Sequence, residues 1–88
     1  MKKFTLGEIK KTILNVKKDL GYNNNVTVKF ITINEEYTDV LIVIKDMSYD
    51  VVRINYVGIF TIESLNDWIY FKIKNGINNL FQDYIYKR

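Results

Sequence analysis

The chain contains no cysteine and no histidine in its 88 residues. Disulfide bonds and the commonest zinc sites are therefore excluded as the means of holding it together. A domain of this length buries only about 60–65% of the surface of its unfolded chain, so its core must be built from hydrocarbon. The composition allows this, since 48% of the residues are apolar and 15% aromatic. We therefore expect a single compact domain over residues 1–88.

The same two absences restrict the chemistry. Histidine is the usual general base near neutral pH, and cysteine is the strongest nucleophile. Ser48 and Ser64 are the only serines, and no histidine is available to activate either. The four glycines stand alone, so no glycine-rich phosphate-binding loop is present. We predict that the protein is not an enzyme and has no catalytic residue, cofactor or metal.

The beginning of the chain has the pattern of an amphipathic helix. Thr5 and Glu8 are spaced as in a capping box, and Gly21 stands where a left-handed cap ends a helix. These signals predict a helix over residues 6–20, followed by a turn at the asparagines 23–25. The apolar residues that recur at helical spacing are Leu6, Ile9, Ile13, Val16 and Leu20.

The middle of the chain contains three runs typical of strands. They cover residues 26–33, 40–45 and 51–57. The second run is almost entirely apolar, which predicts the central and most buried strand. The links Asn34–Glu36 and Asp46–Tyr49 are short enough for hairpins. We expect a three-stranded antiparallel sheet.

The last third of the chain favours a helix over residues 62–86. Thr61 can cap it, and apolar residues continue at steps of three or four. Two alternatives remain open, because residues 68–74 also alternate like a strand and Asn75-Gly76 could divide the helix into a pair. The predicted class is α+β, with an N-terminal helix, a three-stranded antiparallel sheet and a C-terminal helix or helix pair packed on one sheet face.

This layout, with Lys74-Asn75-Gly76 before a terminal helix, resembles the small anti-CRISPR proteins of Firmicute prophages. The resemblance implies a phage-type protein that inhibits a host protein, such as a CRISPR effector, by occupying its surface. The inhibitor of similar length in that family is strongly acidic, whereas this chain has a net charge of +3, so no residue roles carry over. The element order is also similar to that of double-stranded-RNA-binding domains, but Glu63, Ser64 and Asp67 stand where that family has phosphate-binding lysines.

Composition also bears on the source and the compartment. Ile, Lys, Asn and Tyr, whose codons are AT-rich, occupy 41 of the 88 positions. This bias indicates a low-GC bacterium or one of its phages. No stretch approaches the roughly 20 apolar residues that span a bilayer, and the basic start lacks the apolar segment of a signal peptide. We expect a cytoplasmic protein of a low-GC bacterial host that does not bind membranes.

Two sets of residues are candidates for binding. Exposed tyrosines and acidic turns predict a protein interface at Tyr37, Tyr49, Tyr86, Glu35, Glu36 and Asp46. An unprotected strand edge would also permit a homodimer. The alternative function is nucleic-acid binding through two lysine rows of the first helix, Lys10, Lys11, Lys17 and Lys18. Solvated turns and a solvated helix face would give the same sequence pattern.

Overall fold

A computed structural model describes residues 4–21, 25–46 and 48–86, with side chains up to residue 82. Its elements follow the predicted order and confirm the α+β class. They are α1 (Leu6–Leu20), β1 (Val26–Ile33), β2 (Tyr37–Ile44), β3 (Ser48–Asn55) and α2 (Ile62–Tyr86).

Helix α1 begins and ends at the predicted residues. The Thr5 hydroxyl accepts a hydrogen bond from the Glu8 amide at 3.2 Å, and the Glu8 carboxylate accepts one from the Thr5 amide at 2.9 Å. Gly21 ends the helix with φ of 56°, a conformation that glycine adopts without strain. The buried side of α1 consists of Ile9, Thr12, Ile13 and Val16.

The sheet is antiparallel with β2 in the centre, as the apolar run predicts. Strand β1 has the predicted bounds. Strands β2 and β3 each begin three residues before the predicted position, and they end one and two residues before it, at Ile44 and Asn55. The aliphatic runs begin at Val40 and Val51, but backbone pairing also includes the three residues that precede each run. Thr38 is an example: it is fully buried opposite Ile54, and its hydroxyl donates to the Thr32 carbonyl at 2.7 Å.

Helix α2 runs without a break, so the structure contains neither the alternative strand at residues 68–74 nor a helix pair. Leu65, Ile69 and Ile73 are fully buried at helical spacing, which explains why the helical pattern prevails over local strand propensity. Gly76 lies where α2 passes closest to the sheet, against Ile42 and Val52. The glycine there permits a close approach between the two layers and does not interrupt the helix.

Both helices pack on one face of the sheet, which we call the inner face. The core forms between that face and the helices, and its strand residues include Val28, Val40, Ile42, Ile44 and Ile54. The helices also contact each other side by side. The domain therefore has two layers, with the opposite sheet face directed away from the helices.

Candidate protein-binding surface

The sheet face that points away from the helices, the outer face, carries several apolar side chains. The strand register places Val43 beside Tyr49 and Leu41 beside Val51, and Ile31 lies at a bulge in β1. Ile31, Tyr49 and Val51 are 54%, 72% and 51% exposed, and Leu41 and Val43 are half-buried between their neighbours. No helix or strand in the described part of the chain packs on these five residues.

An ionic pair borders this apolar area at one end. The Arg53 guanidinium donates two hydrogen bonds to the Asp39 carboxylate, at 2.8 and 3.0 Å, and lies 4.0 Å from the centre of the Tyr37 ring. The hydrogen bond with Arg53 lowers the pKa of Asp39 below its usual value, so the carboxylate stays charged at neutral pH. Lys29 stands beside Leu41 on the opposite flank. The outer face therefore has an apolar centre and a charged rim.

Side chains form hydrogen bonds with two backbone groups of the edge strand β3. The Val51 amide donates to the Asp50 carboxylate at 2.8 Å, and the Asn55 carbonyl accepts a hydrogen bond from the Trp68 indole at 2.9 Å. Asp50 also lies opposite Ile42, so an acidic residue stands on the helix side of an edge strand. Charges placed this way and occupied edge groups discourage pairing with a further strand.

The edge at β1 has different protection. The pairing with β2 shifts between Phe30 and Thr32, which marks a bulge, and Lys29 stands on the same strand. Bulges and lysines are common devices for preventing edge-to-edge association. Dimerisation through an unprotected edge stays a prediction.

The predicted interface residues fall at two ends of the sheet. Tyr37 lies on the outer face next to the turn that holds Glu35 and Glu36, and Tyr49 lies at the opposite end, near Asp46. Asp46 has a positive φ of 60°, so turn geometry accounts for this residue. The side chain of Tyr86, the last residue of α2, lies outside the described side chains. The structure therefore does not bring the six residues together.

Most residues of the outer face were not among the residues predicted from the sequence to form an interface. The residues not predicted are Ile31, Leu41, Val43 and Val51 of the apolar centre, and Arg53 of the charged rim. A signal was present, because Val51 and Arg53 alternate with the apolar residues Val52 and Ile54 in the predicted third strand. What the sequence did not provide was the side of the sheet on which the two helices would pack.

The lysine residues of α1 lie on the other side of the domain. Lys10, Lys11 and Lys18 are exposed, and Lys17 is half-buried with its amino group 5.1 Å from the centre of the Phe30 ring. They belong to a helix that packs on the inner face of the sheet, and Lys17 reaches Phe30 of β1 from that side. A nucleic acid bound there would therefore not touch the apolar centre of the outer face.

Other concave regions are shallow. One concave region of about 550 Å³ lies between Leu6 and the turn before β2. Another of about 400 Å³ lies between α1 and α2, beside Glu63 and Asp67. Among the described residues, no group of three or more acids is placed to hold a metal ion. None of the described helices is long and apolar enough to span a membrane.

Comparison with protein-family models, with curated proteins and with solved structures finds no match to this chain.

Proposed function

We propose that this protein is a non-enzymatic binding module that holds another protein against the outer face of its sheet. The observation that carries the proposal is the exposed apolar centre formed by Ile31, Tyr49 and Val51, with Leu41 and Val43 between them. Single exposed apolar residues are ordinary on protein surfaces, but a contiguous apolar area on a flat sheet face is typical of an interface.

The arrangement of the face also fits a protein partner. Protein interfaces combine a dehydrated apolar centre, often with tyrosine, and a polar rim that fixes the orientation of the partner. Tyr49 contributes a large contact area with little loss of side-chain entropy. Arg53 is already held by Asp39 and Tyr37, so little further ordering is required when a partner covers the rim.

The partner chemistry that fits best is an apolar protein patch with little net charge opposite the centre. Asp39 and Arg53 neutralise each other, which leaves Lys29 as the remaining formal charge among the outer-face residues named above. We further propose that the partner is a protein of a bacterial host, such as a CRISPR effector, and that binding inhibits it. The support for this part is the AT-biased composition and the helix, sheet and helix layout.

The experiment compares the wild-type protein with Val51→Lys, which inserts a charge at the exposed apolar centre. Each is immobilised and exposed to lysate of a low-GC bacterium after nuclease treatment. Phe71→Lys, which inserts the same charge at an exposed apolar position on α2, serves as the matched control. A stoichiometric protein retained by the wild type and the control, and bound at least about tenfold more weakly by Val51→Lys, supports the proposal.

Two results would reject the proposal. One is a partner that binds Val51→Lys as tightly as the wild type, because the outer face would then not be the contact. The other is a wild-type protein that forms a dimer in light scattering and a Val51→Lys variant that is monomeric. In that case a second copy of the chain covers the face.

A further inference from the structure

Helix α1 has a second exposed feature, on the side of the domain opposite the outer face. Leu14 is 65% exposed, although it stands in the middle of a helix whose other apolar residues are largely buried. Lys10, Lys11, Lys17 and Lys18 are three or four positions from Leu14, and such positions are neighbours on a helix surface. Leu14 is therefore surrounded by lysines, and we call these five residues the lysine ring.

The negative charges of this region lie on a different flank. Asn15 borders the groove between α1 and α2 together with Glu63 and Asp67 of α2. Glu8 lines the same side of α1 next to Lys11, at the border of the lysine ring, and its carboxylate accepts the hydrogen bond from the Thr5 amide. The acids thus gather at the junction of the two helices, and the lysine ring presents positive charge around an apolar centre.

The exposed leucine decides which kind of partner the ring fits. A phosphate backbone would pair with the lysines but would leave Leu14 facing a highly charged, solvated strand, with nothing apolar to contact. The ring also contains no arginine and no aromatic side chain for reading or stacking bases. A protein surface with an apolar pocket and an acidic rim satisfies both the leucine and the lysines.

We propose that the lysine ring is a second docking surface, and that it binds an acidic protein segment that encloses Leu14 in an apolar pocket. Because the ring and the outer face lie on opposite sides of a two-layer domain, each can be occupied while the other is in use. The protein would then join two partners, one apolar and one acidic. Binding at the lysine ring does not require the function proposed for the outer face.

The test uses fluorescein-labelled probes and fluorescence anisotropy at physiological salt. The first probe is a peptide of about 20 residues with leucines at helical spacing among glutamates, and the second is polyglutamate of equal length. The third is duplex DNA of similar charge. We expect the wild type to bind the leucine peptide about tenfold more tightly than polyglutamate, because only the former can bury Leu14.

Four variants assign the contacts. Leu14→Gln should abolish the preference for the leucine peptide and preserve the weaker binding of polyglutamate. The triple variant K10Q/K11Q/K18Q should weaken both peptides and reduce the salt dependence, whereas K45Q/K72Q/K74Q removes the same charge elsewhere and should change little. Val51→Lys should bind the leucine peptide like the wild type, which separates this surface from the outer face.

Three outcomes would overturn the inference. Equal affinity of the wild type for the two peptides, or no binding of either, would show that Leu14 is not an anchor. Tighter binding of duplex DNA than of the leucine peptide, lost in K10Q/K11Q/K18Q, would instead favour the nucleic-acid interface predicted for these lysines.

Discussion

A methyl group added at Gly76 would lie 2.8 Å from the Cδ1 atom of Ile42 and 3.2 Å from the Cγ2 atom of Val52. The first distance is shorter than carbon atoms tolerate without movement, and Ile42 is fully buried, so it has little space to move. The spacing between α2 and the sheet is therefore set by the absence of a side chain at this position.

The substitution Gly76→Ala should destabilise the protein, although alanine is the better helix former. The gain in helix propensity is about 1 kcal/mol, and overpacking a tight core costs about 1–3 kcal/mol. We expect a net loss of about 1 kcal/mol in the free energy of unfolding, measured by urea titration with circular dichroism. Asn75→Ala, at the exposed neighbour, should instead gain about 0.5 kcal/mol. Equal stabilisation by both substitutions would contradict the tight approach at Gly76.

The case of Gly76 shows what the sequence could and could not predict. The capping box of Thr5 and Glu8 and the stop at Gly21 are local signals, and they gave the bounds of α1 correctly. Asn75-Gly76 is also a local signal. The glycine, however, is required by its contact with Ile42 and Val52, which are distant in the chain. A rule based on neighbouring residues reads such a glycine as a break.

The binding surface was harder to predict than the fold. The alternation in β3 separates Val51 and Arg53 from Val52 and Ile54, but it does not say which set a helix covers. The excess of tyrosine predicted interface residues at Tyr37 and Tyr49, which lie at opposite ends of the outer face. The apolar centre between them depends on the register of all three strands, which becomes visible only in the structure.

Loss of the α1 cap should weaken the whole domain, because Ile9 and Ile13 of that helix are part of the core. Thr5→Ala removes the hydroxyl that accepts a hydrogen bond from the Glu8 amide. This change should lower the free energy of unfolding by about 1 kcal/mol. Thr5→Ser keeps the acceptor and should cost much less. The midpoints of thermal unfolding of the two variants give the comparison. A serine variant as unstable as the alanine variant would exclude the cap as the cause.

The Asp50 carboxylate should reduce association through the β3 edge, because it occupies the outward-directed amide of Val51. Asp50→Ala frees that amide and removes a charge from the edge strand. We expect stronger light scattering and a larger apparent mass at high protein concentration. Asp67→Ala removes the same charge from an exposed position on α2 and should leave the mass unchanged. Equal association of the two variants would point to net charge and not to the edge.

Burial of Tyr56 should make the free energy of unfolding depend on pH in the alkaline range. The ring is largely buried, and the hydroxyl makes no hydrogen bond to a described residue. Burial raises the pKa of Tyr56 to about 12, with a smaller opposing effect from nearby Thr38, although the geometry between the two is not that of a hydrogen bond. An unfolded chain has a tyrosine pKa of about 10. Folding therefore disfavours the ionised form of this residue.

The direction of the pH dependence follows from the raised pKa of Tyr56 in the folded state. The contribution of Tyr56 is fully present below pH 10 and is lost as the pH rises from about 10 to about 12. Tyr56→Phe cannot ionise, so the wild type should lose about 1–2 kcal/mol relative to this variant across that range. At pH 7 the variant should be as stable as the wild type or slightly more so, because it removes a hydroxyl without a partner. Urea titrations of both proteins at pH 7, 10 and 11.5 measure the difference. Parallel curves for the two proteins up to pH 11.5 would show that the Tyr56 hydroxyl is solvated in the folded state.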